Sequence, residues 1–310
     1  MSPIPQSDRR AFMGFALTSA LAFPSLSACA APAVKVAARQ APTAELAALE
    51  AKSQGRLGVA ILDTSTGELV GHRQDERFAM CSTFKLPLAA EVLRDVDAGT
   101  RKFDQFIPYS AADMVAHAPV TGPNLSAGGM TIGDLAKAAQ ITSDNPAANL
   151  IMRELGGPEG LTQRFRAAGD AVTRLDRYEP MMNRVAADDP RDTTSPAAMA
   201  RLIARYLTTY YLSQGSKDLL IGWMIETQTG LKRIRAGLPA AWKAGDKTGT
   251  AMSEGMTDKY NDVAIVWPPG RAPILIAAYF NTNIGYGETR DEFQAVLAEV
   301  GRIASRWAIA

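Results

Sequence analysis

The chain has 310 residues, with 47% hydrophobic and 21% charged side chains. These values suit one large folded domain or two lobes sharing an interface. A net charge of +1 excludes an electrostatic grip on nucleic acid or acidic lipid, and favours a neutral partner or a small anion met by a few placed cations.

Residues 1–29 read as an address rather than part of the fold. Arg9-Arg10 precedes an apolar run over 11–23, and its 13 residues fall short of the ~20 needed to span a bilayer. The pattern resembles a twin-arginine export signal, which implies an exported protein, periplasmic or membrane-anchored as a lipoprotein. Leu26-Ser27-Ala28-Cys29 reads as a lipoprotein processing site with Cys29 lipidated; the alternative is ordinary cleavage after Ala28-Cys29-Ala30, which fits the small-x-small rule. Loss of the first 28 residues leaves 31 basic and 31 acidic side chains. The other cysteine, Cys81, then has no partner, so no internal disulfide is expected. Although Cys81 adjoins Ser82, no His lies near it, and it reads as a small buried side chain rather than a nucleophile.

An Ala- and Pro-rich tether over 30–42 leads into an amphipathic helix over 43–52. Residues 57–62 and 68–72 form strands of a hairpin turning at 63–67. Helical patterns follow at 82–96, 131–139, 146–155, 159–168 and 196–206, punctuated by Gly, Pro and Asn. Pro87 lies late for a helix opening at Ser82, which predicts local distortion. Strands at 262–267 and 274–280 flank Pro268-Pro269-Gly270-Arg271 as a second hairpin, and 293–307 closes the chain as a helix. The fold class is therefore α/β (α+β sandwich type): an antiparallel sheet from both chain ends, packed with terminal helices, and an inserted all-helical lobe. The expected lobes are 43–80 with 225–310, and 81–224, with the active site at their interface.

Three motifs carry chemistry. Ser82 and Lys85, three residues apart on one helical face, bring an amine within reach of a hydroxyl. Ser143-Asp144-Asn145 and Lys247-Thr248-Gly249 follow. Ser-x-x-Lys arises by chance roughly once in such a chain, whereas each tripeptide is expected fewer than about 0.1 times. Asp144 or Asn145 also suits the N-cap of the helix at Pro146. Lys247-Thr248-Gly249 suits an edge strand facing a cleft, with Gly249 permitting close approach of a ligand backbone. Two His and one mature Cys, widely separated, offer no zinc cage, and no cofactor is expected.

In this order the motifs resemble those of the class A serine β-lactamases, over about residues 43–308. The resemblance implies that Ser82 is the nucleophile and that the backbone N–H groups of Ser82 and Thr250 form the oxyanion hole. It implies that Ser143 relays a proton to the lactam nitrogen, that Asn145 holds the substrate's side-chain amide and braces Lys85, and that Lys247 and Thr248 bind the substrate carboxylate. In Arg177-Tyr178-Glu179-Pro180-Met181-Met182-Asn183 it implies that Glu179 and Asn183 hold the hydrolytic water, with a cis Glu179-Pro180 bond and an Arg177–Asp192 ion pair closing the loop. The base that takes the Ser82 proton is either Lys85 or Glu179. Arg233 aligns with a carboxylate-binding arginine of some members. His117 takes the place of a cleft-wall Tyr, or stands in solvent. Carbapenem-hydrolysing members bridge the cysteine beside the nucleophile to a position that is Ala251 here.

Two other functions share Ser-x-x-Lys: a cell-wall DD-peptidase, against which Glu179 argues, and a lipoprotein sensor that is acylated once and stops. A β-lactam is the expected partner, and a monomer the expected state.

Overall fold

The structure, a computed structural model, describes residues 39–310; the export signal, Cys29 and residues 30–38 of the tether lie outside them. Helix α1 (Thr43–Lys52) leads into strands β1 (Gly55–Asp63), β2 (Leu69–His72) and the short β3 (Phe78–Ala79). Helix α2 (Lys85–Asp97), strands β4 (Phe106–Pro108) and β5 (Gly129–Thr131), and helices α3 (Ile132–Ile141), α4 (Asn145–Glu154) and α5 (Gly157–Ala167) follow. Then come β6 (Thr193–Thr194), α6 (Pro196–Thr208), α7 (Gln214–Glu226), β7 (Lys243–Ala251), β8 (Lys259–Trp267), β9 (Ile274–Thr282) and α8 (Asp291–Ile309).

The main sheet is antiparallel in the order β2-β1-β9-β8-β7, so strands from both ends of the chain pair at its centre. Alternation along the strands sorts side chains onto two faces. Leu57, Val59 and Ile61 join Ile276 and Ala278 against Val300 of α8, whereas Ala60, Leu62, Ala277 and Tyr279 face the helical core. Both faces are covered, so these strands are apolar in nearly every position. Helix α2 is buried from Lys85 through Leu93 and forms the axis of the helical lobe. Pro146, Pro158 and Pro196 each stand in the first turn of their helix, where a missing N–H costs nothing.

Two expectations change, the start of the Ser82 helix and that of strand β8, and one helix is new. Ser82 lies in a 3-10 turn, Cys81–Phe84, and the α-helix starts only at Lys85. Pro87 therefore falls in the first α-helical turn, where no backbone donor is needed, and the distortion takes the form of the tighter turn before it. Helix α7 had no clear signal: Leu219-Leu220-Ile221 and Trp223-Met224-Ile225 are consecutive apolar runs without helical spacing. Strand β8 begins at Lys259, three residues before the expected start, because Lys259, Tyr260 and Asn261 pair on both sides.

Candidate active site

Ser82 is the partly exposed residue of its 3-10 turn; Cys81, Thr83 and Phe84 anchor the turn from below. Cys81 adopts φ 46° and packs with Ala79, Val185 and Ala251, and burial pushes its thiol up to about 12. Among the described residues it has no disulfide partner, and its burial keeps the thiolate from forming as a nucleophile would need.

The Ser82 hydroxyl donates to Glu179 Oε1 at 3.3 Å, rather than bonding to Lys85 as the spacing had predicted. The Lys85 ammonium lies 3.2 Å from the same carboxylate oxygen, and both side chains are fully buried. Lys85 also reaches Asn145 Oδ1 at 2.5 Å, Ser143 O at 2.8 Å and Ser143 Oγ at 3.4 Å. On the other side of Ser143, Lys247 Nζ bonds its hydroxyl at 3.1 Å. Burial lowers the Lys85 ammonium from its ordinary value, against the opposing pull of Glu179. Lys247 is lowered further, by burial first and by the charge on Lys85 second. One hydroxyl thus bridges two buried amines, an arrangement fit for proton relay.

Asp144 caps α4, accepting from Ala147 N at 2.9 Å. Its oxygens also take Val120 N, Thr121 N and the Thr121 hydroxyl, which locks the neighbouring loop to the helix. That cap leaves Ser143 in the left-handed region at φ 62°. Asn145 Nδ2 donates to Ala116 O at 2.9 Å, so both ends of its amide are engaged inside the protein. His117 is exposed; its ring bonds Thr142 O at 2.9 Å and its carbonyl accepts from Asn145 N at 3.0 Å.

Glu179 is held from behind by a residue that sequence reasoning missed. Asn149 accepts from Glu179 N and donates to Glu179 O, both at 2.9 Å. Asn145 and Asn149 are four apart on one face of α4, a spacing that could have revealed it. Asn183 Nδ2 bonds Glu179 Oε2 at 2.5 Å, and the Glu179-Pro180 bond is cis. At the neck of the loop Arg177 Nε meets Asp192 Oδ2 at 2.5 Å, and Asp192 Oδ1 takes two backbone N–H groups, from Asp176 and Arg177.

Edge strand β7 bears Lys247, Thr248, Gly249 and Thr250. A Cβ at Gly249 would lie 2.7 Å from Met80 O and 3.1 Å from Thr83 N. The glycine therefore admits the protein's own Ser82 turn. Thr248 shares a hydrogen bond with Thr229 at 2.7 Å, another residue without a sequence signal. Arg233 is 3% exposed and donates to Thr250 Oγ1 at 2.6 Å, Asn261 O at 2.7 Å and Gly249 O at 3.0 Å. It reaches the cleft through Thr250.

The fold and the motifs agree with relatives of known type. The Beta-lactamase enzyme family model matches residues 41–308. Beta-lactamase L2 of Stenotrophomonas maltophilia is 46% identical, covering 95% of this chain and 96% of its own. This chain belongs to the class A β-lactamases. Beta-lactamase AST-1 of Nocardia asteroides is 41% identical over 97% of this chain and 96% of its own. The solved structure of an ancestral (GNCA) class A β-lactamase has TM-score 0.80 and 49% identity, over 85% of this chain and 98% of that one. A β-lactamase structure from Xanthomonas campestris has TM-score 0.79 and 44% identity, over 86% and 96%. The protein is a hydrolase that opens β-lactams and confers antibiotic resistance.

Beneath the β-lactamase cleft lies a buried carboxyl pair, Asp246 and Asp262, beside Arg235 and Arg233. Burial raises both carboxyls, and for Asp262 the neighbouring Asp246 charge adds to it. A carboxyl raised in the folded state stabilises below its unfolded range, and that contribution is lost as pH rises from the ordinary value of 3.8 toward the folded one. Asp262→Asn keeps the acceptor for Ile234 N and cannot ionise. Urea denaturation should show this variant losing less stability than wild type between pH 4 and pH 7; equal losses would contradict the assignment.

Proposed function

We propose that Ser82 attacks the lactam carbonyl, that Ser143 passes a proton to the leaving nitrogen, and that water activated by Glu179 and oriented with Asn183 hydrolyses the Ser82 ester. The backbone N–H groups of Ser82 and Thr250 stabilise the oxyanion. Lys247, Thr248 and Thr250 hold the substrate carboxylate, with Gly249 keeping the strand close to the Ser82 turn and Arg233 orienting Thr250. Asn145 and His117 border the substrate side chain. Arg177 and Asp192 keep the Glu179 loop closed. The lobes are 43–80 with 225–310, and 81–224.

One observation carries the reading: a buried carboxylate shared by the nucleophile at 3.3 Å and an amide at 2.5 Å. It supplies a base on the Ser82 ester, which a once-acylated sensor would lack. Whether Glu179 or Lys85 takes the Ser82 proton, it moves on through Lys85 to Ser143 Oγ, along contacts of 3.2 Å and 3.4 Å, replacing the one Ser143 gives to the nitrogen and leaving Glu179 a carboxylate when water attacks the ester. Nitrocefin separates the functions: many turnovers per protein support this mechanism, while a single stoichiometric burst would identify a sensor and sink it.

We further propose a monomer, exported by the twin-arginine route and anchored by a lipid at Cys29. Mass spectrometry of the mature protein should find a diacylglyceryl-modified N-terminal cysteine; an unmodified terminus at Ala31 rejects the anchor.

A further inference from the structure

A second cavity, of about 680 Å³, lies against the far end of the Glu179 loop, where Val185 and Asp188 face Arg77, Phe78, Lys259 and Asn281. None of the residues assigned to the cleft lines it. Its floor is a row of side chains across three strands: Arg56 of β1 pairs with Asn281 of β9, which pairs with Lys259 of β8. Residues paired in this way share a face of the sheet. The Arg56 guanidinium lies 3.9 Å from the centre of the Phe78 ring and is neutralised by Glu76 at 2.7 Å.

The other two cations are not neutralised. Lys259 is 2% exposed, and its ammonium makes one hydrogen bond, to Thr257 O at 3.1 Å. Arg77 donates to Val172 O at 3.1 Å and to the Thr193 hydroxyl at 2.9 Å. Neither forms an ion pair among the described residues. Asp189 is already held by Arg191 at 2.8 Å, which leaves Asp188 as the uncommitted lining carboxylate. Asn281 Oδ1 is buried with no partner, so this amide has no internal contact to lose when it turns an N–H toward a ligand. An ammonium buried against a single carbonyl is costly, and an anion seated beside it removes that cost.

We propose that this cavity is a binding site for a small organic anion, with a carboxylate on Lys259 and Arg77 and an apolar body against Phe78 and Val185. The volume is that of a drug-sized ligand rather than an inorganic ion. Such a ligand would rest on the same loop that carries Glu179, at a place distinct from the Ser82 cleft.

The test is calorimetric titration of the folded protein with 2-naphthoate, alongside 2-naphthamide and inorganic phosphate, together with crystals soaked in 2-naphthoate. The expected result is density in this cavity with the carboxylate on Lys259, and weaker binding of the neutral amide. Lys259→Met should weaken 2-naphthoate at least about tenfold. Arg77→Gln, a change at an exposed side chain, should weaken it in the same direction and serves if the buried replacement does not fold. Equal affinity for wild type and both variants, density confined to the Ser82 cleft, or no binding overturns the site. Phosphate binding as tightly as 2-naphthoate overturns its assignment to an organic ligand.

Discussion

Glu179→Gln should lower kcat for benzylpenicillin by about 10²–10⁴-fold, the usual contribution of a positioned general base. Mass spectrometry should find the variant carrying the opened penicillin on Ser82. The physical reason lies in two contacts that the amide cannot reproduce. A neutral Gln cannot accept a proton from water, and its NH2 would face the Asn183 Nδ2 donor, or turn its oxygen there and set the NH2 against the Lys85 ammonium, 3.2 Å from Oε1. The nucleophile keeps a route for its proton, because Lys85 stays within the circuit through Ser143 and burial holds its ammonium below the ordinary value. Acylation is therefore slowed less than ester hydrolysis, and the adduct accumulates. A variant that turns over at the wild-type rate, or one that shows no adduct and no turnover, would remove Glu179 from the deacylation step.

The second large effect is on stability. Asp192→Ala should destabilise the protein by about 3–5 kcal/mol, the range for breaking a buried ion pair by removing one partner. That corresponds to a drop in Tm of roughly 10 °C. The side chain is fully buried and takes three donors, Asp176 N at 2.8 Å, Arg177 N at 3.0 Å and Arg177 Nε at 2.5 Å. Arg177 would keep only its bond to Arg184 O. Backbone conformation adds to the loss: Asp192 has φ 56°, a region that Asp and Asn tolerate better than Ala. Asp192→Asn, which keeps an acceptor for the backbone N–H groups, should lose less. Calorimetry on both variants checks the order, and equal Tm values for Ala, Asn and wild type would show that the neck does not hold the loop. Because the loop carries Glu179, the Ala variant should also show a burst of product followed by slow turnover.

Much of this is legible in the sequence. Local rules located the hairpin of β1 and β2, the helices opening at Thr43, Thr131, Pro146 and Pro196, and the closing helix α8, because each has a strong period and a clear start signal. The catalytic stretches were legible because their chemistry needs particular residue types at short spacing. Helix α7 was not, since its apolar residues run together and only contact with the sheet and the helical core chooses helix for them.

Sequence by itself determined which side chains are available for chemistry and the order in which they occur: Ser82 with Lys85, Ser143 with Asn145, Glu179 with Asn183, and Lys247 through Thr250. Tertiary structure alone decided how they face one another. It turned the Ser82 hydroxyl to Glu179, 97 residues away, instead of to Lys85, three residues away. It withdrew Arg233 behind Thr250, gave Gly249 to the Ser82 turn, and recruited Asn149 to grip the Glu179 backbone. The physical reason is that hydrogen-bond partners in a buried site are set by packing between distant elements, where an unmet polar group is costly, and spacing along the chain carries no record of that competition.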